Sequence, residues 1–574
     1  MPELHSIYTE KRECQDCHKC IRECHVKAIR VQDGYARIVP ELCVLCGNCI
    51  LACPSTAKQV RDDLPKAKAL LASGRKVVVS LAPSFAAQFA GVRPGQVIHA
   101  LRRLGFHAVS ETALGAQQVS TSIPELMEHA PAQIWISSAC PVVVDFVAKY
   151  HPECSANVTP ILSPLLTHCK LLRKHFGEEI GVVFIGPCIA KKSEAEQHPE
   201  LLDVVLTFED FSRWLAEENI GLADLMEGAD DHFEPEQSRE GAFYPVEGGM
   251  VPGIVGSRKI NEAQIMSFSG IANVEQALRG IPEWHPERSL FFELTACPGS
   301  CINGPKATRS NSVARRRFEV GRYARPAAGE PRQSSVSTVQ SYRAAPVPKA
   351  DYSELQLKEA LRTVGKYSEE DELNCGGCGY DSCRDFARAL IARNAERMMC
   401  ATYTRKLAQK KANALMQKMP SAVVIVDDDL KIIECNKNFV RLFSEHTEQA
   451  KDLEGCALSA VIPFSHLFRR VLESAEDIVS HDMRYQRSIL NTSIFTIEPH
   501  SVLCGIFQDI TEPIFQKEQI IGRAREVIQK NLKTVQQIAY LLGENAADSE
   551  IILNSIVQSF SPEDLEDDDG KRLN

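Results

Sequence analysis

Three cysteine segments, each placed directly after a short apolar run, constrain the fold of this chain more than any other feature. The apolar runs cover residues 134–136, 182–185 and 290–292, which is the length of buried strands. In open α/β sheets, ligands bind beyond the carboxyl ends of the strands. We therefore expect the thiolates of the three segments to gather at such an edge; they belong to Cys140, Cys188, Cys297 and Cys301.

The sequence around Cys140 predicts that its thiolate faces the N-terminus of a helix. Pro141 follows at a suitable first helical position, and apolar residues then recur with helical spacing at Val142, Val143, Phe146 and Val147. A helix N-terminus lowers thiol pKa values and favours metal ligation.

Residues 70–310 predict a parallel-sheet α/β domain. Residues 77–81 form an apolar run of strand length, and Val97, Leu101 and Leu104 recur at helical spacing before Gly105, a suitable C-cap. Repeated alternation of this kind favours a domain large enough to enclose a cofactor. The Gly-, Pro- and acid-rich residues 230–256 predict a long loop near the site.

The three cysteine segments, together with Ala82, Pro83 and Ser84, resemble the signature loops of the [FeFe]-hydrogenases, over about residues 75–310. The resemblance implies a cubane held by Cys140, Cys188, Cys297 and Cys301, with Cys301 also bridging to a two-iron centre that carries CO, cyanide and a dithiolate. Lys191 matches the family lysine that hydrogen-bonds one cyanide, and the loop of Ala82, Pro83 and Ser84 surrounds the other. An anionic ligand in a dry pocket needs such donors.

Four positions depart from the pattern of the catalytic members. Ala139 replaces the cysteine that carries protons to the two-iron centre, and alanine has no exchangeable proton. Gly186 and Thr295 stand where methionines are usual, and Leu165 stands where a glutamine is usual. The resemblance therefore points to the sensory branch of the family, in which a PAS domain is fused to the hydrogenase domain, and implies low turnover.

Length and composition bound the rest of the chain. At 574 residues it predicts several domains, and its net charge of -10 does not favour nucleic acid as a partner. We find no signal peptide and no membrane span, which predicts a cytoplasmic protein. Without an export signal, 21 cysteines indicate metal ligation rather than disulfides.

Residues 1–62 carry one cysteine pattern twice, at an offset of 29 residues. The pattern resembles the bacterial two-cluster ferredoxin signature, in which the fourth cysteine of each run serves the other cluster. The resemblance implies electron transfer through two [4Fe-4S] clusters; a pair of zinc sites is the alternative. One cluster takes Cys14, Cys17, Cys20 and Cys53, and the other takes Cys43, Cys46, Cys49 and Cys24.

Two further segments precede the C-terminal part. Residues 311–352, rich in Arg, Ser, Ala and Pro, predict a linker, with Arg315, Arg316 and Arg317 either on a solvated tether or docked on an acidic partner or RNA. Residues 353–412 resemble a small 4Fe-4S domain of electron-transport proteins, with a helical stretch from Arg384 to Met399; zinc is again the alternative. Its expected ligands are Cys375, Cys378, Cys383 and Cys400.

Residues 413–515 resemble a PAS domain, with two strands, a helix that opens near Asn436, and a closing strand within 501–511. Four histidines in this part are expected to be surface or structural residues, and the alternative is that one of them ligates a haem. They are His446, His466, His481 and His500. Residues 516–560 predict a helix whose apolar seam favours a coiled coil and a homodimer, or else packing on the PAS sheet. Residues 561–574 form an acidic tail.

The predicted fold class is thus multidomain α+β: a two-cluster ferredoxin domain, an α/β iron-only hydrogenase domain, a 4Fe-4S domain, a PAS domain and a C-terminal helix. We expect a sensory [FeFe]-hydrogenase that reacts with H2 and protons, exchanges electrons with a ferredoxin-like partner and acts through a separate output protein. The alternatives are a catalytic ferredoxin-linked hydrogenase and a cubane-only iron-sulfur protein. We expect Cys154 and Cys169 to be buried packing residues. We expect Glu293 either to form a structural hydrogen bond or to carry protons.

Overall fold

The computed structural model describes residues 5–130, 132–257, 261, 264–309, 311–326, 334–348, 350–444 and 449–542. The chain divides into two compact units, Met1–Thr404 and Arg405–Asn574, each of which is described by itself. The predicted tail 561–574, His446 and the helix beyond residue 542 lie outside the described residues.

In the first part of unit one, the backbone conformation recurs with the same 29-residue offset as the cysteine pattern. Left-handed residues recur 29 positions apart at His18 and Gly47, each directly before a short helix. Two antiparallel ribbons, β1 with β4 and β2 with β3, flank these loops. The elements are β1 Ile7–Thr9, α1 Lys19–Arg22, β2 Ile29–Gln32, β3 Tyr35–Ile38, α2 Asn48–Ala52, β4 Lys58–Val60 and α3 Leu64–Ala72.

The middle part of unit one alternates strands and helices, as the sequence predicts. Its elements are β5 Val77–Leu81, α4 Phe85–Gln88, α5 Pro94–Arg103, β6 Ala108–Glu111, α6 Thr112–His129, β7 Ile134–Ile136, α7 Pro141–Tyr150, α8 Pro164–Phe176, β8 Gly181–Gly186, α9 Lys191–Gln197, β9 Val204–Thr207, α10 Phe208–Glu217, α11 Val251–Ser257, β10 Ile265–Ser269, α12 Ile271–Leu278, β11 Leu290–Thr295 and α13 Val313–Tyr323.

These strands form two parallel sheets rather than one. The four-stranded sheet has the order β6-β5-β8-β9, and the three-stranded sheet has the order β10-β11-β7. Strands β5 and β8 are buried along their whole length because helices cover both faces, which explains their continuous apolar runs. The cysteine segments therefore follow strands of two different sheets. Cys188 follows β8 of the four-stranded sheet, whereas Cys140 follows β7 and Cys297 and Cys301 follow β11 of the three-stranded sheet.

The described parts of the predicted linker include packed structure, which corrects the expectation of a solvated tether for those parts. Helix α13 begins after Ser312, whose hydroxyl accepts the N–H of Arg315, and it buries Val320. Further along, the carbonyl of Thr338 accepts the N–H of Leu162, and Tyr342 donates to the carbonyl of Ile161.

The last part of unit one carries the third group of cysteines. The predicted helix from Arg384 to Met399 is shorter, because it ends at Ile391 and Arg393 adopts a left-handed conformation. Helix α16 starts in unit one and ends in unit two. The elements are α14 Glu354–Arg362, α15 Cys383–Ile391 and α16 Ala401–Lys418.

Unit two contains a five-stranded antiparallel sheet of order β13-β12-β16-β15-β14. One face is packed with aromatic side chains, among them Phe439, Phe443, Phe468 and Phe507. Asn436 caps α17, as predicted, by accepting the N–H of Phe439. The elements are β12 Ala422–Val426, β13 Ile432–Cys435, α17 Lys437–Phe443, α18 His466–Ser474, β14 Ile478–Tyr485, β15 Ser488–Glu498, β16 Val502–Asp509 and α19 Thr511–Leu542.

Across the described ranges, no helix combines the length and the apolar character that crossing a membrane requires.

Candidate metal centres

The four cysteines of the hydrogenase-like segments line one cavity of about 120 Å³. Cys140 is the N-cap of α7, as predicted, and Pro141 is the first residue of that helix. Burial raises the pKa of Cys188 to about 11 and that of Cys301 to about 12, and it raises the pKa of Cys297 as well. These thiols therefore give up their protons only when a cation neutralises the thiolates.

Lys191 presents a buried positive charge to this cavity. Burial lowers the pKa of Lys191, but the charges of Glu194 and Cys188 raise it above its usual value. Its Nζ donates to Glu194 Oε2 at 2.7 Å, and the side chain lines the cavity beside the cysteines. The first turn of α9 thus supplies a fixed cation.

The loop of Ala82, Pro83 and Ser84 forms another part of the wall. The N–H of Ala82 donates to the carbonyl of Ile185 at 2.9 Å, which fixes the loop to the neighbouring strand. The Ser84 hydroxyl is buried and finds no hydrogen-bond partner among the described residues. A buried hydroxyl without a partner indicates a missing acceptor. The site therefore fits an anionic diatomic ligand of the kind that the family's two-iron centre carries.

The four departures from the catalytic pattern change the wall. Ala139, Leu165 and Thr295 all line the cavity. A Cβ at Gly186 would lie 2.5 Å from the ring of Phe184 and 2.8 Å from Ala82 Cβ, so a side chain there requires these neighbours to shift. Phe184, which the sequence did not single out, takes up that space and lines the cavity.

Glu293 is the carboxyl group on the cavity wall. It lies on β11, where its Oε2 accepts the Ser267 hydroxyl at 2.7 Å and its Oε1 accepts the N–H of Met250 at 3.4 Å. Burial raises the pKa of Glu293 to about 7, and the charge of Glu247 adds to this. The geometry fits both roles expected for it, a structural acceptor and a proton carrier near neutral pH.

The turn between Cys297 and Cys301 is held from two sides. Gly299 and Ser300 both have positive φ, and the N–H of Gly299 donates to Ser269 Oγ at 3.0 Å. Arg316 is buried and donates to the carbonyl of Ile302 at 3.1 Å. Sequence reasoning placed Arg316 on a solvated tether or against a partner and missed this internal contact, although the helical spacing after Ser312 was a usable signal.

The eight cysteines of residues 14–53 fall into the two predicted groups. Burial raises the pKa of Cys20; Lys58 lowers it, and the charges of Cys14, Cys17 and Cys53 raise it further. For Cys49, burial and Cys46 raise the pKa, Lys58 lowers it, and Cys43 and Cys24 raise it again. Cys20 and Cys49 thus each interact with the other three members of the predicted quartet.

The second quartet lies against the hydrogenase-like cavity. Burial raises the pKa of Cys46 to about 11, and the nearby charge of Cys140 contributes. A Cβ at Gly47 would overlap with Pro305, so this position requires glycine. From α7, Lys149 donates to the carbonyl of Cys43 at 2.7 Å and Tyr150 to that of Leu42 at 2.6 Å.

The third group of cysteines lines a much smaller cavity, of about 20 Å³. Cys383 is fixed by its N–H, which donates to Asn374 Oδ1 at 2.7 Å, and Cys400 Sγ lies 3.2 Å from the Thr402 hydroxyl. The cysteines that line this cavity are the four predicted ones, Cys375, Cys378, Cys383 and Cys400.

This segment is joined to the ferredoxin-like part. Lys27 Nζ donates to the carbonyl of Gly379 at 3.0 Å, and a Cβ at Gly379 would lie only 2.9 Å from Ile21 Cβ. The charges of Cys378 and Cys24 both contribute to raising the pKa of Tyr380, after burial. The thiolate charges of two predicted cluster ligands, one in each segment, therefore act on Tyr380.

Within the described ranges, no group of three or more His, Cys, Asp or Glu side chains is arranged to hold a single metal ion.

Four family models match the chain. The iron only hydrogenase large subunit, C-terminal domain, matches residues 75–305, and the 4Fe-4S binding domain matches residues 36–58. An Fe-S cluster model matches residues 371–413, and a PAS domain model matches residues 411–478. The chain is a PAS-containing [FeFe]-hydrogenase-like protein. Its predicted multidomain α+β class is confirmed, and its cofactors are iron-sulfur centres.

Curated relatives agree with this assignment. The NADP-reducing hydrogenase subunit HndD of Solidesulfovibrio fructosivorans is 25% identical over 378 residues, 52% of this chain and 64% of that protein. A component of an ion-translocating oxidoreductase complex from Methanosarcina acetivorans is 44% identical over 48 residues, 8% of this chain and 18% of that protein. The [FeFe]-hydrogenase-like chain therefore spans less than two thirds of either relative.

Solved structures show weaker likeness. A variant of [FeFe]-hydrogenase HydA1 from Chlamydomonas reinhardtii is 18% identical, with a TM-score of 0.39 over 50% of this chain and 100% of that chain. The PAS domain of nitrogen regulation protein NR(II) from Vibrio parahaemolyticus is 24% identical, with a TM-score of 0.15 over 17% of this chain and 97% of that chain. At these TM-scores, the assignment depends on the family models alone.

Proposed function

We propose that this protein is a sensory [FeFe]-hydrogenase that reacts slowly with H2 and passes the resulting redox state to its PAS domain. The observation that carries the proposal is the wall of the 120 Å³ cavity. It combines four cysteines, a buried lysine and an unpaired serine hydroxyl with Ala139, a residue that cannot carry a proton.

In this proposal, Cys140, Cys188, Cys297 and Cys301 would hold a cubane, and Cys301 would also hold a two-iron centre. When bound, that centre would supply the cleavage and formation of H2. Lys191 and Ser84 would donate hydrogen bonds to its anionic ligands, and Glu194 keeps the Lys191 ammonium in place. Phe184, Leu165 and Met250 exclude water from the wall, which strengthens these interactions.

In this proposal, proton transfer to the two-iron centre is slower than in the catalytic members of the family. Position 139 offers no exchangeable proton, so Glu293, with a pKa of about 7, is the remaining acid on the described wall. Its two oxygens are occupied by Ser267 and Met250, which ties proton movement to rearrangement of these hydrogen bonds. Slow turnover follows, because positioned acid–base groups contribute about 10²- to 10⁴-fold to a rate.

The other cysteine groups serve electron transfer in this proposal. Two [4Fe-4S] clusters occupy the quartets of residues 14–53, and a further one occupies the group at residues 375–400. Support comes from the close approach of Gly47 to Pro305 and of Gly379 to Ile21, and from the effect of the Cys140 charge on Cys46. A ferredoxin-like protein is the expected redox partner.

Signalling starts at the cysteine group that precedes the PAS domain in the chain. Helix α16 begins directly after Cys400, whose carbonyl accepts the N–H of Thr404 at 2.9 Å. At its other end, the carbonyl of Met416 accepts Asn436 Nδ2 at 3.1 Å, and Asn436 also caps α17. A change of charge at the cysteine group would act on the first turn of this helix.

Output requires a second protein and, in this proposal, a homodimer in the cytoplasm. Helix α19 has 32 residues, and its seam residues Ile521, Ile528, Leu532 and Val535 are half-buried while most of its other described side chains are exposed. A helix of this length with one apolar seam is typical of a coiled coil. The domain limits predicted from the sequence remain part of the proposal.

Turnover of the full chain, matured with the two-iron centre, tests the proposal. We expect measurable H2/D2 exchange together with H2 oxidation and evolution far below the rates of catalytic [FeFe]-hydrogenases. Rates equal to theirs would favour the catalytic alternative. A protein that retains its iron and sulfide but neither exchanges nor turns over would favour the cubane-only alternative.

A further inference from the structure

Lys58 places an ammonium group in the interior of the ferredoxin-like part. It is the first residue of β4, and its side chain is only 3% exposed. Its Nζ donates to Thr9 Oγ1 at 2.7 Å and to the carbonyl of Ala36 at 2.7 Å. Both partners are neutral oxygens, so these hydrogen bonds fix the position of the charge without balancing it.

No ion pair joins Lys58 to a carboxylate of the described residues. Burying a cation without a counter-charge costs several kcal/mol or more, so such groups are almost always paired. The fold therefore requires negative charge near this side chain from another source.

The two cysteine quartets supply that source from either side. The Lys58 charge acts on Cys20 of one quartet and on Cys49 of the other. The backbone N–H of Lys58 donates to the sulfur of Cys53, which is the fourth cysteine of the first quartet. One residue thus touches the first quartet through its main chain and faces both quartets through its side chain.

We propose that the buried ammonium of Lys58 is the shared counter-charge of the two ferredoxin-type clusters and raises the reduction potentials of both. The proposal rests on the cluster ligation given under the proposed function. Reduction adds one electron to a cluster, and a fixed cation in a medium of low dielectric stabilises the added charge. Lys58 is a positioning residue, because it contacts no substrate.

The test is an anaerobic redox titration of the full chain, followed by electron paramagnetic resonance. The protein carries reconstituted [4Fe-4S] clusters but no two-iron centre, and dithionite is the reductant. In Lys58→Met, the ratio of reduced to oxidised cluster at a given potential falls about tenfold for both ferredoxin-type clusters, which is 59 mV for a one-electron couple. Lys58→Arg keeps the wild-type ratio.

Lys19→Met is the matched control. Lys19 belongs to the same part of the chain but is exposed, so water and salt screen its charge and the potentials stay within error of wild type. Unchanged potentials in a Lys58→Met protein that retains its clusters would overturn the proposal.

Cluster loss is also informative. If Lys58→Met and Lys58→Gln both fail to retain the two clusters while Lys58→Arg retains them, the positive charge is needed for assembly, which supports the proposal. If Lys58→Arg loses them as well, shape rather than charge matters, and the proposal fails. Wild-type protein without these clusters would instead overturn the ligation on which the proposal rests.

Discussion

The cavity after β7, β8 and β11 and the cavity at residues 375–400 are both built from four cysteines, yet they differ in size and in lining. The first has about 120 Å³ of space, a buried lysine and an unpaired serine hydroxyl. The second has about 20 Å³, and one of its cysteines, Cys375, is exposed.

This difference separates chemistry from electron storage. A small molecule and a two-iron centre need room and donors beyond the cysteines, and only the first of these two cavities offers both. The second also carries polar groups, among them the buried Lys366 and the Tyr380 hydroxyl, which has no partner among the described residues, but its volume of about 20 Å³ leaves no space for a substrate beside a cluster. We infer that H2 reacts at the first cavity and that the second registers the outcome.

The largest effect is expected from Cys301→Ala. It removes the sulfur that joins the cubane to the two-iron centre in our proposal, so infrared bands of CO and cyanide ligands should disappear after maturation. Cys154→Ala is the control, since Cys154 is a buried thiol that lies outside the cysteine groups. Persistent CO and cyanide bands in the Cys301 variant would show that Cys301 does not hold the two-iron centre in the first cavity.

Ala139→Cys should give the next largest effect. A thiol at this position restores an exchangeable proton on the cavity wall, and we expect turnover with H2 to rise by about 10²-fold or more. Ala139→Ser, whose hydroxyl is a far weaker acid, serves as the control and should gain much less. No gain in the cysteine variant would place the block elsewhere, at Leu165, Gly186 or Thr295.

Glu293→Gln should change the pH profile rather than abolish activity. Because the pKa of Glu293 is about 7, its acid form, which serves proton reduction, is lost as pH rises through 7, while the carboxylate that serves H2 oxidation is gained. The variant should lose this dependence and about tenfold in rate. Glu247→Gln removes a charge that raises the Glu293 pKa, so it should move the profile to lower pH; identical profiles in all three proteins would contradict a proton role.

Cys378→Ala should have the smallest effect on turnover. It removes a ligand of the second cavity, so iron content should fall by about four atoms per chain while H2/D2 exchange stays within about twofold of wild type. The measurement pairs iron analysis with exchange on the same sample. Loss of exchange would remove the distinction between the two cavities.

Local features of the fold followed from the sequence because they depend on nearby residues. Strand β5, the N-cap position of Cys140 and the capping role of Asn436 are set by apolar runs and by side chains within a few positions. The 29-residue cysteine repeat also reappears in the backbone, at His18 and Gly47.

Other features depend on contacts between distant segments, and sequence patterns do not reveal them. The two separate sheets arise because β7 pairs with β11, more than 150 residues away along the chain. Arg316 reaches the carbonyl of Ile302 from a segment whose composition resembles a tether. Lys58 looks like an ordinary polar residue until its burial is known.

Infrared spectroscopy of the matured full chain under argon and then under H2 tests the central claim most directly. We predict CO and cyanide bands under argon that shift when H2 is admitted, with slow turnover in the same sample. A matured, fully metallated protein whose spectrum has no such bands, or has bands that never respond to H2, would contradict the account.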